Sequence, residues 1–224
     1  MSWSLLPARP VAGPLKSLHS ARTTFRRLRY GSFELAIEHE VVRGVTPLML
    51  EWWFRHIGEP MMWQGRQYPR YHVWHPVDHI HWALARPDAR GGAGVGSRFR
   101  IVEAFGGDPR MLVDSTEEVV KLDQTGIRLV RRVLGLEVFS LEHWFEPAAG
   151  GTRYTSRMQV GHESPAGRYL LNPVLQRWRF SARMGYAWLR HNVEEVGHFE
   201  QFLPLLYAAE HAQAGAPALA AAGG

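Results

Sequence analysis

Two residues four apart near the C-terminal end of the chain carry the strongest chemical signal: His191 and Glu195 in His191-Asn-Val-Glu-Glu195. On a helix that spacing puts both side chains on one face, about one turn apart. An imidazole and a carboxylate so placed can share one divalent cation. The same face carries His198 one turn on, and Trp188 and Met184 behind it, so polar groups interrupt an apolar stripe. An apolar stripe meets a core or a cavity, where an unpartnered carboxylate is costly. A metal, or a His–Glu hydrogen bond, relieves that cost; the plainer alternative is a solvated polar turn at the helix end.

Two further groups fit the same chemistry. The segment Trp74-His-Pro-Val-Asp-His-Ile-His81 packs three His and one Asp together. In an extended backbone His75, His79 and His81 share one side by two-residue alternation, although Pro76 interrupts the register. Asp78 can orient one of these imidazoles from behind. A surface cluster of His with no task is the alternative. Glu103 sits in Phe99-Arg-Ile-Val-Glu-Ala-Phe105, where alternation sets it with Phe99 and Ile101 on an inward face. It therefore needs a metal, or an Arg such as Arg98 or Arg100. With no cysteine in the chain, thiolate sites and disulfides are excluded. Two His and two Glu make a nitrogen/oxygen set suited to Zn²⁺, with other divalent metals open. A reacting water or substrate oxygen would then enter as a fifth ligand.

The elements that must hold these groups follow from periodicity. Residues 33–43 alternate as a strand. Thr46-Pro47 starts a helix with Thr as N-cap and Pro at the first position, running through Leu48, Met49, Trp52 and Trp53 to about His56, with Gly58 and Pro60 closing it. Residues 61–72 are turn-rich, 71–83 irregular and extended, and 86–96 a Gly-rich loop. Short strands follow at about 97–105, 111–121, 126–134, 136–146 and 152–161, separated by Gly and Asp turn signals. From 173 to 209 the steps become three and four, through Leu175, Ala182, Gly185, Trp188 and Leu189, which is a long helix with a break near Gly197 or Pro204. The class is α+β: a curved antiparallel sheet wrapped around a long C-terminal helix, a helix grip with a cavity between the two. Residues 1–30 read as an N-terminal arm, 31–211 as one domain, and the Ala/Gly/Pro-rich 212–224 as a disordered tail.

Composition narrows the setting. A chain of 224 residues with 46% hydrophobic and 21% charged residues suits one domain with a real core. Nine Trp imply an aromatic core or an aromatic-lined cavity. The net charge of +5 comes almost wholly from scattered Arg. Even the group Arg22, Arg26, Arg27 and Arg29 lacks an aromatic RNA-binding signature, so no nucleic-acid partner is expected. No signal peptide and no apolar run of spanning length is visible, so the reading is a soluble, cytoplasmic protein without a membrane partner. A homodimer is left open.

Several of these segments recur together in one family. Gly44-Val-Thr-Pro-Leu-Met-Leu-Glu-Trp-Trp-Phe-Arg-His56, Trp74-His-Pro-Val-Asp-His79, Glu103, His191-Asn-Val-Glu-Glu195 and Phe202-Leu-Pro-Leu-Leu-Tyr207 resemble, in that order, the 2,4-diacetylphloroglucinol hydrolase family, which also contains phloretin hydrolase. The likeness spans about residues 40–207, and implies a short member without the extra N-terminal region that builds part of the substrate pocket in longer ones. It also implies a Bet v 1-like (START-like) helix-grip domain that cleaves an aryl–acyl carbon–carbon bond with zinc. The implied ligands are His79, Glu103, His191 and Glu195, with His75 the rival of His79. On that reading the substrate is a small aromatic ketone such as an acyl-phenol. His143 then protonates the leaving carbon, with His162 as runner-up, and Tyr71 and Asp78 bind the substrate's oxygens. The competing expectation is a carrier that holds an apolar or aromatic small molecule without catalysis. Metal content separates the two.

Overall fold

The alternation between residues 112 and 160 becomes, in the computed structural model, a meander of long antiparallel strands. The structure describes residues 13–215. In chain order the strands and helices are β1 (Ala21–Arg27), β2 (Phe33–His39), β3 (Val42–Arg43), α1 (Pro47–His56), β4 (Pro60–Trp63), β5 (Arg66–Pro69), α2 (Arg70–Trp74), β6 (His79–Arg86), β7 (Arg98–Ala104), β8 (Leu112–Asp123), β9 (Gly126–Val133), β10 (Leu136–Ala148), β11 (Gly151–Val160), α3 (Asn172–Trp178) and α4 (Ala182–Gly215).

The main sheet runs β1-β2-β11-β10-β9-β8-β7-β6, with β3 also on β11 and β4–β5 a separate hairpin. All its pairings are antiparallel. Its concave face holds α4, which is the helix grip expected from the sequence. Small side chains allow the approach: a Cβ on Gly185 would stand 3.2 Å from both Phe25 of β1 and Leu35 of β2. Helix α1 starts as its sequence dictates, with Thr46 Oγ1 accepting from the Met49 amide at 3.3 Å and Pro47 at the first position. It caps one end of the sheet through an aromatic core of Trp53, Phe54, Trp74, Phe199 and Phe202. A second apolar cluster joins Phe33, Leu35, Met158 and Val160 to Met184, Trp188 and Val193 of α4.

Four local expectations are corrected. Residues 21–27, assigned to an N-terminal arm, form edge strand β1, paired with β2 over its whole length. The turn-rich stretch 61–72 holds the β4–β5 hairpin and the start of α2, and of the stretch 71–83, expected to be extended, residues 71–74 are helical and only 79–83 are extended, in β6. The helical region breaks at 179–181, between α3 and α4, and α4 passes through Gly197 and Pro204. Ser181 restarts it, its Oγ accepting from the Met184 amide at 3.3 Å. Residues 212–215 continue α4; the rest of the expected tail, and residues 1–12 of the arm, lie outside the described residues. Among the described residues no helix is long and apolar enough to cross a membrane.

Candidate metal centre

Three elements bring the chemistry together. Helix α4 presents His191 and Glu195 to the concave face of the sheet. Strands β6 and β7 pair His79 directly with Glu103. Inward alternation on β7 sets Phe99, Ile101 and Glu103 along one cavity wall, as expected. Helix α2 closes the group from above, with Trp74 Nε1 donating to the Glu195 carbonyl at 3.0 Å.

His79 Nε2 lies 3.5 Å from Glu103 Oε1 and 3.3 Å from Glu195 Oε2. His191 Nε2 lies 3.7 Å from Glu103 Oε2 and 3.5 Å from Glu195 Oε2. Four donors each about 2.05 Å from one tetrahedral zinc stand about 3.3 Å from one another. The four separations above lie near that value, and His79, Glu103 and His191 offer ligand atoms all within 4.8 Å of one another, with Glu195 beside the two imidazoles.

The tautomers agree with it. His79 Nδ1 is 2.7 Å from the Tyr71 carbonyl oxygen, and His191 Nδ1 is 2.9 Å from Asp78 Oδ2. Both partners only accept, so each Nδ1 carries a proton; His79 is neutral and turns an Nε2 lone pair toward the two carboxylates, and His191 would do the same once its second proton is displaced. Four acceptors then face one point, an arrangement that repels itself unless positive charge stands there. The donor set therefore fits a divalent cation.

Titration points the same way. Burial opposes charge on His191, but the carboxylates of Glu195, Glu103 and Asp78 outweigh it and lift His191 well above the usual imidazole range. Burial pushes Glu103 up to about 7. Burial also acts to raise Glu195, but His191 and His79 outweigh it and hold Glu195 low. Burial drives His79 down to about 3, so that ring is neutral. The cluster draws a proton onto His191, and metal and proton compete for such a site.

The surrounding shell orients the four groups. Tyr71 donates its hydroxyl to Glu103 Oε1 at 2.5 Å and stacks on His79 with ring centroids 3.8 Å apart. Asn192 donates to Glu195 Oε1 at 2.6 Å. Asp78 also accepts from the Gly107 amide at 3.1 Å, which fixes its carboxylate behind His191.

Each sequence expectation now has a place. His79 joins the cluster; His75 stands behind it, where its Nδ1 accepts from the Asp78 amide at 3.1 Å and its Nε2 meets Glu194 at 3.2 Å. Both nitrogens of His75 are engaged, although His75, Asp78 and His191 lie close enough together to form a second potential metal group. A register shift between His79 and His81 takes His81 out of the alternation, because a bulge turns the next side chain away. Asp78 does not line the cavity, so it holds His191 rather than substrate oxygens. Tyr71 does line it. Arg100 is not the partner of Glu103; it pairs with Asp114 at 2.8 Å.

His143 lines the cavity, with Nδ1 2.9 Å from Ser156 Oγ, and burial lowers it to about 4. Ser156 Oγ is also 3.1 Å from His39 Nε2. His162 is not among the lining residues; its Nδ1 faces the Glu137 carbonyl at 3.0 Å, so the runner-up acid is remote from the cluster. Sequence reasoning missed Asn192, although it stands inside the His191–Glu195 motif, and it missed Glu117. The latter lies in the apolar alternation of β8 and was legible by the same argument that picked Glu103.

The cavity measures about 200 Å³, with Trp82, Phe99, Phe105, Leu141 and Trp188 among its walls. Trp53 packs in the core while Trp74, Trp82 and Trp188 line the cavity, so both readings of the aromatic content hold.

Fold and site together define a helix-grip protein, an α+β domain with a buried imidazole–carboxylate group that could hold a metal. Solved structures of similar fold include protein Ms6760 from Mycobacterium smegmatis, at 14% identity and a TM-score of 0.46, covering 88% of this chain and 99% of that one. Ginseng major latex-like protein 151 from Panax ginseng follows at 12% identity and a TM-score of 0.40, covering 71% and 97%. Ara h 8.0201 aligns at 14% identity and a TM-score of 0.38, covering 72% and 96%. No curated protein matches the sequence. The family model of the DAPG hydrolase PhiG domain matches residues 17–208, and the chain belongs to that family of hydrolases.

Proposed function

We propose that the protein is a zinc-dependent hydrolase that uses water to cleave the carbon–carbon bond between an acyl group and an aromatic ring, in an acyl-phenol or related ketone. The observation that carries this reading is the convergence of four acceptor groups at the wall of an aromatic-lined cavity, in a chain of the DAPG hydrolase family. His79, Glu103, His191 and Glu195 would hold the metal. When bound, a divalent cation polarises a carbonyl and brings water to it at neutral pH.

The rest falls to the chain's own side chains. Tyr71 and Asn192 keep the two carboxylates turned inward. Asp78 keeps His191 in the tautomer that offers Nε2 to the site. The aromatic walls hold the ring and exclude water. The departing ring carbon needs a proton, and on this reading His143, which lines the cavity, gives it. His143 is neutral at rest, so it must gain that proton during the reaction, and the water that adds to the carbonyl is the source that balances it; Ser156 joins His143 to His39, which burial also keeps neutral by lowering it to about 3.

A carrier of apolar ligands would use the same walls but would have no use for four converging acceptors. Elemental analysis of the purified protein, with turnover of an acylphloroglucinol panel before and after exhaustive chelation, tests the reading. The expected result is stoichiometric zinc, with turnover lost on chelation and restored on zinc addition. Full turnover after chelation, or tight ligand binding with neither metal nor turnover, overturns it.

A further inference from the structure

One buried acid in the cavity wall has no part in the cluster just described. Glu117 is 3% exposed, on the inward face of β8. Ser115, two residues away on the same face, donates its hydroxyl to Glu117 Oε1. Glu117 Oε2 is buried and has no hydrogen-bond partner among the described residues. Both residues line the cavity. Around them the wall is mostly apolar: Phe99 lies opposite Glu117 on β7, Ile101 lies opposite Ser115, and Phe139 and Val160 continue the wall beyond, with the charge of Arg131 on β9 felt by Glu117 without a hydrogen bond to Oε2.

A buried oxygen without a partner in an apolar wall is destabilising in the empty protein. A water or a ligand can satisfy it, and the site's shape decides which ligand. An ionised carboxylate only accepts, so the ligand must bring a donor. A protonated one leaves an O–H that needs an acceptor. A hydroxyl is both, and so satisfies Oε2 in either form. A cationic ligand is disfavoured, because Arg131 and Arg179 also line this cavity.

We propose that Glu117, positioned by Ser115, is a second polar anchor that recognises a hydroxyl group on the part of the ligand remote from the His79–Glu103–His191–Glu195 cluster. The proposal rests on the reading of this cavity as the substrate site. The register sets the separation: Glu103 pairs with Val113 and Glu117 with Phe99. The two acids are thus four residues apart along the strands, roughly 14 Å of backbone before their side chains reach inward. A benzene ring fits a cavity of about 150 Å³, so about 200 Å³ holds one ring with short substituents. An acyl group directed at the cluster leaves the opposite edge of that ring toward Glu117. A site built around a buried acceptor also rejects the analogue that cannot donate to it, because the acceptor is then left unpaired.

The test is equilibrium binding of acetophenone, 3- and 4-hydroxyacetophenone and their methoxy counterparts at pH 8. The fluorescence of Trp82 and Trp188 in the cavity wall reports binding, with and without added zinc. In the wild-type chain, the better hydroxy isomer should bind at least about 10-fold tighter than its methoxy partner, within the range expected for one buried hydrogen bond. In Glu117→Leu that preference should fall to within about twofold, while unsubstituted acetophenone binds as well or better; Glu117→Gln should be intermediate and also covers the case in which the Leu variant does not fold. A wild type that binds both forms equally, or Glu117 variants that keep the preference, overturns the proposal. The readout needs no turnover, so the two readings fail separately. A preference that follows Glu117 in a chain without hydrolysis leaves this anchor standing and removes the hydrolase reading. Hydrolysis by a chain whose preference ignores Glu117 does the reverse.

Discussion

Two stretches of one cavity wall bury carboxylates in opposite ways. At one, Glu103 and Glu195 face two imidazoles whose far nitrogens are tied to the Tyr71 carbonyl and to Asp78. At the other, Glu117 has a single hydroxyl, Ser115, and one oxygen without a hydrogen-bond partner among the described residues. The first group is over-supplied with acceptors and shaped to take a cation. The second is under-supplied with donors and shaped to take one hydrogen bond. Burial pushes both Glu103 and Glu117 up to about 7, so desolvation alone does not distinguish them. What distinguishes them is the neighbours: converging nitrogen lone pairs in one place, aromatic rings in the other.

The sharpest way to break this comparison is to remove a member of the first group. His191→Ala or Glu195→Ala should abolish both metal binding and turnover while the far-UV circular dichroism stays native; retention of stoichiometric zinc in either variant would take that residue out of the ligand set. His143→Ala should behave differently. It should keep its zinc, with kcat lowered about 10²–10⁴-fold, the usual loss for one positioned acid. Wild-type rates in that variant would move proton delivery elsewhere.

Glu117 tests the second region through stability. Its folded pKa is raised by burial from 4.5 to about 7. An acid with a raised folded pKa costs nothing below its unfolded pKa, where both states are protonated. Its penalty grows as pH rises from about 4.5 to about 7 and is constant above. Glu117→Gln removes that penalty, so its unfolding free energy relative to wild type should rise by on the order of 3 kcal/mol between pH 4.5 and pH 8. Denaturant titrations at the two pH values, with chelator present, measure it; a pH-independent difference would mean that the carboxyl is solvated. The smallest expected effect is that of Asp78→Asn, which keeps the shape behind His191 but weakens the acceptor. It should lower zinc affinity about 10–100-fold without removing the site. Unchanged zinc affinity would show that the tautomer of His191 is fixed without Asp78.

The sequence carried the architecture where periodicity was long. Strands β7 to β11 and helix α1 fall within a few residues of expectation, and the i, i+4 pair His191 and Glu195 lies on one face because helical geometry leaves no choice. It failed where tertiary pairing overrode local pattern. Strand β1 was hidden because its Arg-rich outer face obscured the alternation of Ala21, Thr23 and Phe25, half-buried only because β2 lies beside them. The choice between His75 and His79 could not be read from spacing, since both precede the same strand. The fold gives the two different surroundings: α2 places the Tyr71 carbonyl against His79 Nδ1 and leaves His75 to Glu194. Asp78 was open to two tasks for the same reason, and only its distance to His191 assigns one.

The break at 179–181 has a consequence for how the chain is made. Helix α4 starts at Ala182 and carries half of the acceptor set, while His79 and Glu103 lie on strands synthesised much earlier. On the ribosome the sheet can pair before α4 has emerged, and during that interval it exposes one imidazole and one carboxylate, too few to grip a cation firmly. On the proposed ligand set, ion capture would therefore become strong only when α4 docks. The ion would then fasten a helix already in place.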